Sequence, residues 1–160
     1  MDELAELYRD VIVEHAQHPR HHGRLDGPDV VWREGYNPLC GDRVTVYLDV
    51  ADGVVRRAAF TGEGCAISTA AASLITDAVV GRTVEEARAL FARYREALTT
   101  PDDAAALGAA VELGELAALI GVRAYPMRIK CATLAGHTLG EALDAVGAEA
   151  PNSGGAAPGA

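Results

Sequence analysis

Aromatic residues are scarce in this chain. They make up 5% of its 160 residues, with one Trp and two Phe. A core built from this sequence is therefore expected to be aliphatic and helix-rich, with abundant alanine. Positive charge is also short, at 14 Lys and Arg against 23 Asp and Glu, a formal net charge of -9. That balance excludes any general attraction to nucleic-acid phosphate or anionic lipid. A protein partner with a basic docking surface is the better expectation. No apolar run approaches the roughly 20 residues that a membrane-spanning helix needs. The start, Met1-Asp2-Glu3-Leu4, opens with acids and has no basic segment, so no secretory signal is expected. These absences point to a cytoplasmic protein with no membrane and no nucleic acid among its partners.

Cysteine is sparse too. Three residues, Cys40, Cys65 and Cys131, cannot all pair within one chain. A reducing compartment makes disulfides unexpected in any case. Metal binding, nucleophilic sulfur chemistry and plain packing remain as their uses.

What is present describes a globular domain. Hydrophobic residues make up 49% of the chain and charged residues 23%. This composition and length suit one domain with one substantial core, over residues 1–147. The tail, 148–160, lacks apolar anchors and is expected to be disordered. No internal repeat is visible.

Leu4, Leu7, Tyr8, Val11, Ile12 and His15 recur at helical spacing, which predicts a helix over 3–17, ahead of Pro19. Val30 and Trp32 suggest a short strand, and Tyr36-Asn37-Pro38 reads as a turn. Val44, Val46, Leu48 and Val50 alternate with polar partners, the period of a half-buried strand. Asp52-Gly53 is a strong hairpin signal, with a return strand over 54–60. Gly62-Glu63-Gly64 reads as a strand breaker. A buried helix is expected over 67–80, with Gly81 as its stop. Thr83 and Glu86 have the spacing of a capping box for a helix to about Leu98. Thr100-Pro101-Asp102-Asp103 opens a short piece, and Val111 to Ile120 continue a helical pattern to Gly121. A helix from Met127 carries Cys131, and His137 to Val146 complete the last helical stretch. The expected fold is α+β, with a small antiparallel three-stranded sheet packed by helices.

Each cysteine sits at the edge of a predicted element. Cys40 lies in Asn37-Pro38-Leu39-Cys40-Gly41-Asp42, Cys65 in Gly62-Glu63-Gly64-Cys65-Ala66-Ile67-Ser68, and Cys131 in Arg128-Ile129-Lys130-Cys131-Ala132. Asp42 adds a hard oxygen beside the sulfurs. Three thiolates and a carboxylate form a complete four-ligand set for a tetrahedral metal such as zinc. Gly41 supplies the backbone freedom that lets Cys40 and Asp42 face one ion. Cys65 is expected at a helix N-terminus, where free amides and the helix dipole favour a thiolate. The competing reading is that free cysteines are small buried hydrophobes. A weaker oxygen ligand makes such a site easier to open, and a released thiolate can attack the terminal sulfur of a persulfide. Arg128 and Lys130 flank the third cysteine and are candidates to stabilise thiolate charge or to pair with Asp42. His18, His21 and His22 cluster in a loop that suits a solvated segment or docking surface better than a metal site. His15 is expected as a partly buried polar residue, and His137 as structural. Walker A, GxSxG and HExxH patterns are absent.

The three cysteine motifs together resemble those of the IscU/NifU-N iron–sulfur cluster assembly family. Leu7 to Ile12 and His18-Pro19-Arg20 also resemble its N-terminal helix, so the likeness runs from about residue 4 to 146. IscU-type chains carry His before the third cysteine, where this chain has Lys130. The stretch between Cys65 and Cys131 is also longer than in IscU, with extra helical sequence around 83–121. Both features are similar to the SufU branch. That resemblance implies zinc held by Cys40, Asp42, Cys65 and Cys131. It implies a sulfurtransferase-like acceptor that takes persulfide sulfur at Cys40 from a SufS-type, pyridoxal-phosphate-dependent cysteine desulfurase, and so activates it. The cargo would pass to downstream iron–sulfur assembly proteins. The alternative is an IscU-type scaffold on which a [2Fe-2S] cluster is built. A third is a structural zinc module used for docking. Gly136 departs from the pattern, since SufU-like chains often carry Trp there.

Overall fold

The computed structural model describes residues 2–38 and 41–146. Cys40 and the expected tail, 148–160, lie outside the described residues.

Helix α1, Asp2–Gln17, covers the first amphipathic stretch. Three strands follow: β1 (Val30–Asn37), β2 (Asp42–Ala51) and β3 (Val54–Glu63). They form one antiparallel sheet in the order β1-β2-β3. Asp52 and Gly53 both take positive φ, 55° and 74°, which suits the tight turn between β2 and β3.

Two strands are longer than their local sequence predicts. Tyr36 and Asn37 pair with Arg43 and Asp42, so they belong to β1 and not to a turn. Gly62 and Glu63 pair with Val44 and Arg43, so β3 runs through the expected breaker. A Cβ on Gly62 would stand 2.2 Å from the Arg43 carbonyl oxygen. The glycine therefore allows the two strands to approach.

Helix α2 (Ala66–Val79) and helix α3 (Val84–Thr99) match their predicted ranges closely. The Thr83 side chain accepts from Glu86 N–H, and the Glu86 side chain accepts from Thr83 N–H. Such a capping box satisfies two of the backbone donors left free at a helix start. Short helices α4 (Asp103–Gly108) and α5 (Ala110–Leu113) lead into a 3-10 segment, Gly114–Ala124. The sequence pattern predicts ordinary helix here, but Gly114 takes φ +59° and interrupts it. Helix α6, Pro126–Ala145, is one continuous element with Pro at its start.

The core lies between one sheet face and the helices. Val44, Val46, Leu48 and Phe60 meet Leu74, Ile75, Leu119 and Leu139 there. Each fully buried Leu contributes roughly 1.5–3 kcal/mol. Helix α6 packs on β1 and β2, α2 packs on β3 and α6, and α1 packs on α2. A smaller cluster of Trp32, Tyr47 and Ala59 lies apart from this core.

Buried polar groups tie the layers together. His15 is buried, with Nδ1 2.7 Å from Ser73 Oγ and Nε2 3.0 Å from Glu115 Oε2. The Arg20 backbone N–H donates to the same Ser73 oxygen at 2.8 Å. These bonds join α1, α2 and the 3-10 segment, and they satisfy a side chain that would otherwise cost stability in the core.

Candidate metal centre

Three elements meet at one end of the sheet. The turn after β1 is closed by Gly41, whose φ is +76° and whose N–H donates to the Asn37 carbonyl at 2.8 Å. Asp42 opens β2 directly behind it and is buried. Cys65 caps α2, and its sulfur accepts from Ser68 N–H at 3.5 Å. An N-cap side chain takes one of the free donors at a helix start, and here a sulfur does so. Cys131 lies one and a half turns into α6 and is buried, its thiol directed at the Met127 carbonyl 4.0 Å away.

Asp42 and Cys65 are held to each other. One carboxylate oxygen accepts from Cys65 N–H at 3.1 Å, and the other lies 3.7 Å from the Cys65 sulfur. Gly64 makes this approach possible. A Cβ there would be 3.0 Å from Asp42 Oδ1 and 3.1 Å from Ser68 Cβ. The same glycine-rich segment that extends β3 thus leaves room for a carboxylate beside the helix cap.

Ligand atoms of Asp42, Cys65 and Cys131 all lie within 4.8 Å of one another. Zn–S near 2.3 Å and Zn–O near 2.0 Å in a tetrahedron place sulfur and oxygen about 3.5 Å apart and two sulfurs about 3.8 Å apart. The observed 3.7 Å between Cys65 and Asp42 is close to that edge. Two sulfurs and one oxygen suit zinc or an iron–sulfur unit, and not the all-oxygen shell of calcium or magnesium. The donor set therefore fits a tetrahedral thiophilic ion, with room in the chemistry for a fourth ligand.

Residues 7–132 match the family model described as the NifU-like N terminal domain. The chain belongs to that family. Among relatives of this NifU-like chain, the iron–sulfur cluster assembly scaffold protein IscU of Streptococcus pyogenes serotype M1 is 41% identical over 143 residues. That match covers 89% of this chain and 86% of the relative. The zinc-dependent sulfurtransferase SufU of Bacillus subtilis is 38% identical over 138 residues, covering 85% and 88%. A crystal structure of a SufU from Fervidobacterium islandicum AW-1, described as a candidate scaffold for the SUF system, superposes with a TM-score of 0.71. It is 29% identical, and the match covers 84% of this chain and 94% of that one. The three-stranded sheet packed by helices is the fold of this family.

The remaining described candidates differ in their surroundings. Arg128 and Lys130 are exposed on the first turns of α6, and among the described residues neither closes an ion pair. His21 bonds Asp77 at 2.9 Å, and His22 packs edge-on against Phe60. Among the described residues the histidines form no metal-capable grouping. His137 stands edge-on to Phe91 in the NifU-like chain, a packing role.

Sequence reasoning missed several residues around the donor set. Gly64 was legible only as a breaker, since its role depends on how close Asp42 comes. Ser68 lies three residues after a cap, and that spacing is a usable signal. Tyr94 carried none: its hydroxyl donates to the Ala132 carbonyl at 2.6 Å, 38 residues away.

Proposed function

We propose that this NifU-like chain serves iron–sulfur cluster assembly as a zinc-dependent sulfur acceptor. One observation carries the reading: Asp42, Cys65 and Cys131 converge within 4.8 Å, while the residue before Cys131 is Lys130. At neutral pH the lysine ammonium has no lone pair to offer a metal. The ligand set is then Asp42, Cys65, Cys131 and, from its place in the first motif, Cys40. Zinc held by these residues would keep their thiols deprotonated and clustered.

Cys40 is the acceptor. Its thiolate attacks the outer sulfur of a persulfide on a SufS-type cysteine desulfurase. A new sulfur–sulfur bond forms at Cys40, the bond to the desulfurase sulfur breaks, and the desulfurase thiolate leaves. No net oxidation occurs, because the sulfane sulfur only changes carrier. Asp42 supports the exchange through its bond to Cys65 N–H, which keeps the cap of α2 in place when a neighbouring thiol is in use. The sulfur then passes to later iron–sulfur assembly proteins. Free thiols doing this work need a reducing, cytoplasmic setting. The same reading treats 1–147 as one domain.

The test is desulfurase turnover with this chain as acceptor. Cys40→Ala is expected to abolish stimulation and persulfide labelling while zinc-replete protein stays folded. Full stimulation by the variant would remove Cys40 from the acceptor role. A second reading, a scaffold for a [2Fe-2S] cluster as cargo, is favoured by the 41% identity to a relative named IscU. A stable cluster after anaerobic reconstitution, with transfer to an apo-protein, would select it.

A further inference from the structure

Asp42 and Cys65 are fixed to each other by a hydrogen bond, but Cys131 arrives on a separate helix. Its position relative to the pair depends on how α6 is seated. The start of α6 is exposed at Tyr125, Pro126, Met127, Arg128 and Lys130, with Ile129 packed against the core. Full burial begins at Cys131 and Ala132.

Helix α3 braces α6 from that point onward. Arg88 pairs with Asp144 at 2.6 Å near the far end. Phe91 fills the space over Gly136, where a Cβ would meet its ring at 2.0 Å. Tyr94 is fully buried and donates its hydroxyl to the Ala132 carbonyl at 2.6 Å. These three contacts run antiparallel along α6, and the last of them falls on the residue after Cys131. The Ala132 carbonyl can still accept the N–H of Gly136 within the helix, because a carbonyl has two lone pairs. Tyr94 is therefore a tether added to a complete helix, not a repair of a broken one.

We propose that Tyr94 is a positioning residue for the metal centre: from the α3 helix it holds the turn of α6 that carries Cys131 against Asp42 and Cys65. The helical segment between the second and third cysteine motifs then acts on the site through α6, at the residue that follows Cys131. This rests on the metal reading above. Partners beyond the ligands commonly change metal affinity roughly 10- to 100-fold when removed.

The experiment measures zinc affinity by chelator competition, and the thiolate charge-transfer band of the cobalt(II) form, in three full-length chains. They are wild type, Tyr94→Phe, and Leu143→Ala, which removes buried packing of α6 far from Cys131. Expected is a zinc affinity about tenfold weaker in Tyr94→Phe, with a shifted cobalt band, while Leu143→Ala loses thermal stability but keeps both metal readouts. Wild-type affinity and band in Tyr94→Phe would overturn the proposal. So would equal weakening in both variants, since general loosening would then explain it. A Tyr94→Phe chain that fails to fold would also count against it, because the hydroxyl would be holding the whole fold. A wild-type chain that takes up neither metal would remove the metal reading, and this proposal with it.

Discussion

Replacing Asp42 by Ala removes its hydrogen bond to Cys65 and its proposed metal contact together, and the two can be measured separately. The first is the bond from Cys65 N–H, 3.1 Å to a buried carboxylate. A hydrogen bond to a charged group contributes about 1.5–3 kcal/mol. For a chain of this size, with roughly 3 °C per kcal/mol, metal-free Asp42→Ala should melt about 5–9 °C lower. The second is the proposed ligand. Structural zinc sites bind with about 10–16 kcal/mol, so one ligand in four represents about 2.5–4 kcal/mol. Zinc should then bind roughly a hundred- to a thousand-fold more weakly. Asp42→Asn keeps an oxygen that can accept from Cys65 N–H but loses the charge. It should recover most of the metal-free stability and little of the zinc affinity. Melting of the metal-free forms and chelator competition on all three chains check both parts. Zinc affinity within threefold of wild type in Asp42→Ala would show that the carboxylate is not a ligand. An unchanged melt of the metal-free variant would show that the bond to Cys65 carries no stability.

Two further predictions concern the frame around the site. Gly136→Ala adds a Cβ 2.0 Å from the Phe91 ring, itself packed against Tyr94 and His137. Overpacking of about 1–3 kcal/mol should exceed the helix-propensity gain of up to about 1 kcal/mol. Urea denaturation should show a net loss, partly recovered by adding Phe91→Leu; a variant as stable as wild type refutes the packing account. Asp77 lies between Arg20 and His21, both at 2.9 Å. Partial burial works to raise its pKa, but the His21 and Arg20 hydrogen bonds and charges outweigh burial and hold it below the ordinary 3.8. The unfolded chain therefore binds more protons than the folded one around pH 4. The stabilisation is complete above that pH and is lost as pH falls through the lowered folded value. Asp77→Asn should lower stability at pH 7 by under about 1 kcal/mol, since the groups are half exposed, and change little at pH 2. An equal loss at both pH values would rule out the ionic origin.

Much of the fold was readable locally. The Asp52-Gly53 turn, the Thr83–Glu86 capping box and the buried run that became α2 each involve residues within a few positions of one another. Local chemistry decides such features before distant parts of the chain meet. The misread segments are those where a partner strand or a backbone reversal intervened. Tyr36-Asn37 has turn-like composition, yet pairing with Arg43 and Asp42 draws it into β1. Gly62-Glu63 reads as a break, yet β2 offers it a ladder. The stretch after Val111 has a helical pattern, yet α5 ends at Leu113, Gly114 takes a positive φ, and the chain continues as 3-10 structure.

For the site, the sequence by itself determined the candidate donors. Three cysteines and one aspartate lie in three motifs, and the residue before the third cysteine is Lys130. What only the tertiary structure decided is distance. Asp42 and Cys65 are 23 residues apart and Cys131 lies 66 beyond Cys65, and no local rule sets such separations. The sheet register places Asp42 beside the cap of α2, Gly64 leaves the space for its carboxylate, and the packing of α6 against β1, β2 and α3 brings Cys131 to both. Those positions come from side chains filling a shared core, which is a property of the whole chain and of no single motif.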